Sequence, residues 1–140
     1  MSQQQHLKEV LVLKSDPQQV TKVETFIETV CKRLHLDESQ FNKILVATTE
    51  AVNNGIIHGN KRDPKKKVTL ICEFVQKIFT VTVEDEGSGI NPEALPDPLA
   101  EENILRENGR GVFLMRSLMD EVEFEHTKNG SAVVMRIKVN

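Results

Sequence analysis

The apolar residues of the first third of the chain predict a strand followed by a helix. From Leu7 to Leu13, leucines alternate imperfectly with lysine and valine, and the β-branched content favours a strand. Asp16 and Pro17 then supply an N-cap residue and a proline at the first helical position. Apolar residues recur at helical spacing beyond this point, so we predict an amphipathic helix from Pro17 to about His35.

A second amphipathic helix is predicted from about Asp37 to His58. Gln40 stands three residues after Asp37, in the spacing of a capping box, and Gly59 is a C-terminal stop signal. The apolar face of this helix consists of Phe41, Ile44, Leu45, Thr48, Ala51 and Val52. Residues 61–67 are basic and polar, and we expect them to form a solvated connection.

Two pairs of β-rich runs predict two hairpins. The runs are Val68–Val75 and Ile78–Glu84, then Val122–Thr127 and Ala132–Val139. Gln76 and Lys77 separate the first pair by hairpin spacing, although they are not favoured turn residues. The second pair is joined around Asn129 and Gly130, which is a strong turn signal.

The order of elements predicts a single α+β domain over residues 1–140. Between the hairpins, Asn91–Asn108 shows no convincing period, and a short helix is predicted from Gly111 to about Met119. The order β-α-α-β-β-loop-α-β-β favours a two-layer sandwich, in which three helices lie on one face of a mixed, mostly antiparallel five-stranded sheet. The alternating βαβ order of a doubly wound fold and the GxxxxGK[ST] motif of P-loop proteins are both missing.

Composition narrows the class of protein further. The net charge of −3 argues against a general nucleic-acid binder. No apolar run approaches the ~18 residues of a membrane span, and the N-terminus lacks the apolar region of a signal peptide. Cys31 and Cys72 lie in apolar-periodic segments, so we expect buried free thiols in a reducing compartment, which favours the cytoplasm.

Three polar residues four apart are the first candidate for chemistry: Glu50, Asn54 and His58 on the second predicted helix. Steps of four advance about 400° around a helix, so these side chains share one stripe beside the apolar face. Hydrated Mg²⁺ with a phosphate chain would satisfy such a stripe, because Mg²⁺ takes oxygen ligands and keeps several waters. The alternative is a solvated polar face with a histidine near the helix C-terminus.

A second candidate is the turn Asp85-Glu86-Gly87-Ser88-Gly89, directly after a predicted strand. Gly87 and Gly89 permit positive φ or a close approach of the backbone to a flat ligand. Asp85 at the strand end can accept a hydrogen bond from an exocyclic amine, which adenine supplies. An ordinary acidic turn is the alternative.

The third candidate is Gly109-Arg110-Gly111-Val112, which leads into a helix. Free backbone N–H groups and the positive end of the helix dipole make an anion site at such a position. The alternative is a flexible loop that enters a helix.

The three segments in this order resemble the Bergerat-type ATP-binding domains of the gyrase, chaperone, histidine-kinase and MutL superfamily. More narrowly, the chain resembles the stand-alone anti-sigma-factor serine kinases of the RsbW type, over about Val20 to Val139. The stretches that carry the resemblance are TTEAVNNGIIHGN, VEDEGSGI and NGRGVFLM, which are similar to the N-box and the two glycine boxes of that family.

The resemblance implies a role for each matching residue. Asn54 takes the place of the Mg²⁺ ligand, Glu50 that of the general base, and His58 helps to orient phosphate or the helix end. Asp85 matches the residue that reads adenine, and Ser131 stands where relatives usually carry threonine next to it. Gly87, Gly89 and Ile90 are expected in the adenine pocket, and Gly109, Arg110, Gly111 and Val112 at the phosphate end of the ATP lid, which is Asn91–Asn108.

The resemblance also implies a function. It predicts a protein kinase that uses Mg²⁺ and ATP to phosphorylate a Ser or Thr of a small antagonist protein, and that otherwise sequesters a sigma factor. Relatives often form homodimers, and neither direct nucleic-acid binding nor a membrane is expected. Arg110 or Arg106 would offset charge on the γ-phosphate, and the sequence does not decide between them.

Three other functions stay open at this point. One is an ATP-sensing anti-sigma module without kinase activity, and the second is an ATP-hydrolysing domain in which water replaces serine. The third is an α+β interaction domain that binds no nucleotide, which would require all three segments to be coincidental.

Overall fold

The computed structural model describes residues 6–87 and 107–139, with only the backbone for residues 107–109. It contains five strands and three α-helices in the described ranges. In chain order they are β1 (Leu7–Lys14), α1 (Thr21–Arg33), α2 (Glu38–Asn54), β2 (Lys67–Val75), β3 (Ile78–Asp85), α3 (Glu107–Leu118), β4 (Glu121–His126) and β5 (Ser131–Lys138). A 3₁₀ turn over Pro17–Val20 precedes α1, and a π-helical turn over Gly55–Gly59 follows α2.

The five strands form one sheet in the order β1-β2-β3-β5-β4. Each pairing between these strands is antiparallel. This architecture confirms the predicted α+β fold with five strands and three helices, although the described sheet is antiparallel throughout rather than mixed.

Alternate strand residues face the helices and build the core. In β2, Leu70 and Cys72 are fully buried and Phe74 nearly so, while the residues between them are partly exposed. Helices α1 and α2 cover this face with apolar stripes that include Ile27 and Ile44, both fully buried. Burying such a side chain stabilises the fold by about 1.5–3 kcal/mol.

Both cysteines are free and buried, as the sequence predicted. Burial raises the pKa of the Cys31 thiol to about 12. Burial also raises the pKa of Cys72, with smaller contributions from Cys31 and Glu9. Neutral, buried thiols behave as small apolar residues and react slowly.

The helix caps follow the sequence signals, with one difference in helix type. Asp37 accepts a hydrogen bond from the Gln40 N–H at 2.7 Å, as the capping box predicted. Asp16 likewise caps the turn that begins at Pro17, but that turn is 3₁₀ and α1 starts at Thr21. Tighter 3₁₀ turns are frequent at the ends of α-helices.

The turn between β2 and β3 forms although its residues are unfavourable. Gln76 and Lys77 have φ of 50° and 66°, so both lie in the left-handed region. This is the pattern of a type I′ turn, whose twist matches that of the two flanking strands. The eight- and nine-residue strands on either side fix the turn more strongly than its own propensities.

The end of α2 differs from the prediction. The α-helix ends at Asn54 rather than near His58, and Gly55–Gly59 continues it as a π-helical turn. The Asn60 N–H donates to the Gly55 carbonyl at 2.8 Å, which is the wider spacing of a π turn. Such turns are frequent at functional sites.

Helix α3 begins at Glu107, four residues before the predicted start at Gly111. Within residues 6–87 and 107–139, none of the helices combines the length and apolar character needed to cross a membrane.

Candidate functional site

A pocket lies where the end of α2, the end of β3 and the β4–β5 hairpin meet α3. It is lined by Ala51, Asn54, Gly55, Gly59, Val83, Asp85, Met115, Phe124, Ser131, Ala132 and Val133. The pocket thus joins Asn54 of the first candidate segment and Asp85 of the second with Met115 of α3, the helix that contains the third. In particular, Asn54 and Asp85 line the same cavity although they are 31 positions apart in the sequence.

Asn54 is buried at the last position of α2, with a side chain that is not satisfied. It is 7% exposed, and its Nδ2 atom has no hydrogen-bond partner among the described residues. A buried amide without a partner costs about 1–3 kcal/mol. Its position on the pocket wall makes it a group that a polar ligand would satisfy.

Helix α3 brings its backbone against the polar stripe of α2 at Gly111. A Cβ atom at Gly111 would lie 3.0 Å from Asn54 Nδ2 and 3.2 Å from Glu50 Oε2. The structure therefore brings Glu50, Asn54 and Gly111 together, as the sequence interpretation required. Glu50 is only partly buried, so its carboxylate remains accessible.

His58 lies on the π-helical turn and does not line the pocket. It is partly buried, and its Nε2 atom has no hydrogen-bond partner among the described residues. The wider turn displaces this residue from the regular stripe of α2, because a π turn rotates the chain less per residue than an α-helix. A direct role of His58 at the nucleotide stays a prediction.

Asp85 is the last residue of β3, and one of its two carboxylate oxygens is hydrogen-bonded to neighbouring residues. Its Oδ1 accepts hydrogen bonds from the Gly87 N–H at 2.8 Å and from the Ser131 hydroxyl at 3.0 Å. Burial raises the pKa of the Asp85 carboxyl above its ordinary value, while these hydrogen bonds and the charge of Lys66 act in the opposite direction. Among the described residues both bonds fall on Oδ1, so Oδ2 is available to a ligand donor.

Three glycines lie around Asp85, at positions where the surrounding atoms leave no room for a Cβ atom. A Cβ atom at Gly59 would lie 2.6 Å from the Asp85 carboxyl carbon, and one at Gly87 would lie 1.6 Å from the Gly59 carbonyl oxygen. A Cβ atom at Gly130 would lie 1.9 Å from the Asp85 carbonyl oxygen. The sequence suggested positive φ or close approach to a flat ligand at Gly87, and the structure shows instead a close approach to the backbone of Gly59.

Asn60 is a site residue that the sequence interpretation missed. It is 1% exposed, and its side chain joins two segments. Its Nδ2 donates to the Lys67 carbonyl at 2.9 Å, and its Oδ1 accepts from the Glu86 N–H at 2.8 Å. The bridge fixes the start of β2 and the turn after Asp85 to the end of the π turn. The available signal was a polar residue directly after the Gly59 stop and before the basic connection of residues 61–67.

The remaining predicted residues fall into two groups. Gly89, Ile90, Arg106 and most of the predicted lid lie outside the described residues. Arg110 is exposed, whereas Gly111 and Val112 are buried.

Because α3 begins at Glu107, Gly111 and Val112 lie in its second turn, where their N–H groups bond within the helix. The free amides of the helix start therefore belong to residues 107–109, a correction to the prediction for Gly111 and Val112.

The residues present fit Mg²⁺ only in combination with phosphate. In residues 6–87 and 107–139, no cluster of three or more His, Cys, Asp or Glu side chains could hold a metal ion. Mg²⁺, however, is usually bound through one or two protein oxygens plus substrate phosphates and waters. The Asn54 atom without a partner is Nδ2, a donor that a phosphate oxygen would satisfy, and the carbonyl oxygen of the same buried amide would be the ligand of Mg²⁺.

Comparison with known families gives one match over nearly the whole chain. Residues 13–137 match the family described as the histidine kinase-like ATPase domain. Anti-sigma F factor of Clostridium perfringens (strain SM101 / Type A) is 36% identical over 104 residues, which cover 72% of this chain and 74% of that protein. Anti-sigma F factor of Clostridium novyi (strain NT) is 34% identical over 103 residues, or 71% and 72% of the two chains.

Solved structures show the same fold at low identity. The RsbU and RsbW domains of a Mycobacterium tuberculosis protein superpose with a TM-score of 0.71 and 16% identity, over 95% of this chain and 32% of that one. The catalytic domain of the histidine kinase ThkA superposes with a TM-score of 0.60 and 14% identity, over 94% and 98% of the two chains. These likenesses concern the fold alone.

Proposed function

Because the chain belongs to the histidine kinase-like ATPase domain family, we propose that it binds Mg·ATP in the pocket between α2 and Asp85 and acts as an ATP-binding anti-sigma factor. The observation that carries the proposal is that Asn54 and Asp85 line one cavity. The names of the relatives, anti-sigma F factor, support the biological role.

At the adenine end of the pocket, Asp85 is the residue that would select adenine over other bases. Its Oδ1 is held by Gly87 and Ser131, so Oδ2 is oriented to accept a hydrogen bond from the exocyclic amine of adenine. Val83 and Met115 supply apolar surface for the base. A half-buried acceptor that meets a matching donor discriminates against bases that lack the amine.

At the phosphate end, Asn54 would hold Mg²⁺ through its carbonyl oxygen. The metal supplies charge neutralisation for the phosphate oxygens. The N-terminus of α3 contributes the positive end of its helix dipole, and its free amides at residues 107–109 replace those first expected at Gly111 and Val112. Arg110 is exposed beside this end and adds positive charge.

We further propose that the protein is a serine/threonine kinase in which Glu50 is the general base. The carboxylate lies beside Asn54, where a serine hydroxyl of a partner protein would meet the γ-phosphate. Glu50 would accept the hydroxyl proton as the oxygen attacks phosphorus and the bond to the β-phosphate oxygen breaks. Positioning and charge neutralisation account for most of the rate of such transfers.

The proposed partners are a sigma factor and a small antagonist protein that carries the acceptor Ser or Thr. This assignment rests on the names of the relatives, which describe anti-sigma activity and do not state a kinase reaction. The buried free thiols suit a reducing compartment, which is why we place the protein in the cytoplasm.

Two assays test the proposal in sequence. Calorimetric titration with ATP should show one site per chain that weakens when EDTA removes Mg²⁺, and Asn54→Ala should lose the Mg²⁺ dependence. Asn53→Ala is the matched control, because the neighbouring position points about 100° away around the helix. Equal Mg²⁺ dependence in wild type and Asn54→Ala would remove Asn54 from the metal site.

Transfer of radiolabelled phosphate to a co-expressed antagonist protein then tests the kinase. Glu50→Gln should lower transfer by about 10²–10⁴-fold without weakening ATP binding, whereas Glu38→Gln, on the same helix, should not. Undiminished transfer would show that Glu50 is not the base. ATP binding without any transfer in the wild type would support the alternative, an ATP-sensing anti-sigma module.

A further inference from the structure

The connection between the π-helical turn and β2 carries a concentrated positive charge. Residues 61–67 read KRDPKKK, so five of the chain's 18 lysines and arginines stand here beside one of its 21 aspartates and glutamates. We call this segment the basic loop. Its charge is opposite in sign to that of the chain as a whole, which is −3.

The cations of the basic loop are accessible and have no carboxylate paired with them at the surface. Four of the five are exposed, and Lys66 is half-buried. In residues 6–87 and 107–139, the basic side chains that form ion pairs are Lys32, Arg33 and Arg136, which all lie elsewhere. Like charges held together without counter-charges repel each other and disfavour the folded state.

The backbone of the basic loop is fixed by the fold. The Ser15 N–H donates to the Lys66 carbonyl at 3.1 Å, and the Lys66 N–H donates to the Asp63 carbonyl at 3.0 Å. Asp63 also accepts from the Lys65 N–H, through Oδ1 at 3.0 Å. The loop is exposed, as the sequence predicted, but its cations start from fixed backbone positions, which lowers the entropic cost of binding a partner.

Two of the cations stand where the backbone is unfavourable for them. Lys61 and Arg62 have φ of 53° and 59°, in the left-handed region that favours glycine and asparagine. A segment that only joined the π-helical turn to β2 would be more stable with those residues at both positions. Backbone strain of this kind is typical of functional sites, where the chemistry of the side chain is needed.

The composition of the loop favours carboxylates over nucleic acid as its ligand. Four of the five cations are lysines, whereas bidentate recognition of phosphate favours arginine. Residues 59–69 contain no aromatic side chain on which a base could stack. Glu86 accepts a hydrogen bond from the Lys67 N–H, and Glu84 lies opposite Thr69 in the sheet. These glutamates beside the loop would repel a long, uniformly charged strand.

We propose that the basic loop is a docking surface for a short acidic segment of a partner protein. Carboxylates of the segment would lie against Lys61, Arg62 and Lys65 and offset the repulsion between them. Asn60 joins the end of the loop to the turn after Asp85, so the partner would sit beside the adenine end of the pocket.

The inference goes beyond the proposed function and does not rest on it. Burial raises the pKa of Asp85 and the charge of Lys66 opposes this effect, so Lys66 is left unchanged in the variants below. Docking is measured without nucleotide. Its failure would therefore leave ATP binding untouched, and a protein that binds no ATP could still dock an acidic segment.

The test is fluorescence anisotropy of fluorescein-labelled hexaglutamate titrated with the full-length protein, with labelled hexaglutamine as the neutral probe. Wild type should bind hexaglutamate saturably and hexaglutamine not at all. Binding should weaken at least threefold between about 50 and 200 mM NaCl, because salt shortens the Debye length to roughly the size of the loop.

Three variants locate the binding surface. The loop variant carries Lys61→Gln, Arg62→Gln and Lys65→Gln, and it should bind hexaglutamate at least tenfold more weakly than wild type. The matched control removes the same charge at exposed positions of α1, α2 and the β4–β5 turn, through Lys22→Gln, Lys43→Gln and Lys128→Gln. The control should bind within twofold of wild type, as should a conservative variant with Lys61→Arg and Lys65→Arg.

Thermal unfolding followed by circular dichroism separates docking from a structural role. If the three cations are held in place for a partner, their removal relieves repulsion, and the loop variant should melt at or above the wild-type temperature at low salt. A loop variant that melts lower and also binds less would assign the cations to the fold and overturn the proposal.

Three binding results would also overturn it. The first is a wild type that shows no saturable binding of hexaglutamate up to about 1 mM, the range of very weak complexes. The second is a control variant that loses as much affinity as the loop variant, since net charge alone would then explain the binding. The third is an oligothymidine of the same charge that binds more tightly than hexaglutamate and depends on the same three cations, which would mark a nucleic-acid surface.

Discussion

Gly87→Ala is the substitution whose effect the structure determines most sharply. The added Cβ would lie 1.6 Å from the Gly59 carbonyl oxygen and 2.2 Å from its carbonyl carbon. Non-bonded heavy atoms are at optimum near 3.5–4.0 Å, so the two backbone segments must separate by roughly 2 Å. Neither neighbour is the flexible end of a side chain, so the backbone itself has to move.

The energetic cost follows from the contacts that this movement breaks. Overpacking costs about 1–3 kcal/mol. The hydrogen bonds from Gly87 to Asp85 and from Glu86 to Asn60, each 2.8 Å long, are worth about 0.5–1.5 kcal/mol apiece. We expect the free energy of unfolding to fall by about 2–6 kcal/mol and the melting temperature by roughly 6–18 °C.

The same movement turns Asp85 away from the pocket, so affinity for Mg·ATP should fall at least tenfold. Urea denaturation measures the first effect and calorimetry the second. Gly55→Ala is the matched control for stability, because its nearest neighbour would be Val68 Cγ2 at an ordinary 3.4 Å and its φ of −62° suits any residue. An unfolding free energy of Gly87→Ala within about 0.5 kcal/mol of wild type would refute the reasoning.

Three further changes test other parts of the structure. Because burial raises the pKa of Asp85, protonation of this group stabilises the folded state, and that contribution is lost as pH rises through the folded pKa. The variant Asp85→Asn should therefore be more stable than wild type at pH 7, equally stable below about pH 4, and deficient in ATP binding. A variant that is less stable than wild type at pH 7 would contradict the assignment. Asn60→Ala should lower the free energy of unfolding, measured in urea, by about 1–3 kcal/mol or more, because the Lys67 carbonyl and the Glu86 N–H lose their partner. A loss of stability near zero would mean that water replaces the side chain. Cys31 and Cys72 should react with iodoacetamide at pH 8 only after denaturation, since both are buried, and rapid labelling of the folded protein would show that the core opens locally.

Much of the fold was predictable because local signals and burial agree. In β2 and β3 every second residue is buried, and the apolar residues of the sequence stand at those positions. The cap at Asp37 is likewise a local signal, fixed by residues within one turn. The polar stripe of Glu50 and Asn54 was placed correctly because helical geometry needs no tertiary information.

What the sequence did not reveal depends on contacts between distant segments. The packing of Gly59, Gly87 and Gly130 around Asp85 arises only when the two hairpins and the end of α2 are brought together. Asn60 was missed for the same reason, since its two partners lie seven and 26 positions away. The π-helical turn was missed because its sequence, GIIHG, continues the apolar pattern of the helix.

The central claim is that ATP occupies the cavity shared by Asn54 and Asp85. An amide NMR titration of the ¹⁵N-labelled protein with Mg·ATP tests it most directly. We predict one saturable transition in which the largest shifts belong to Asn54, Asp85, Gly87 and Ser131, while Val10 and Val12 on the opposite face of the sheet move little. Saturable shifts centred on another surface, or none at millimolar Mg·ATP, would contradict the account.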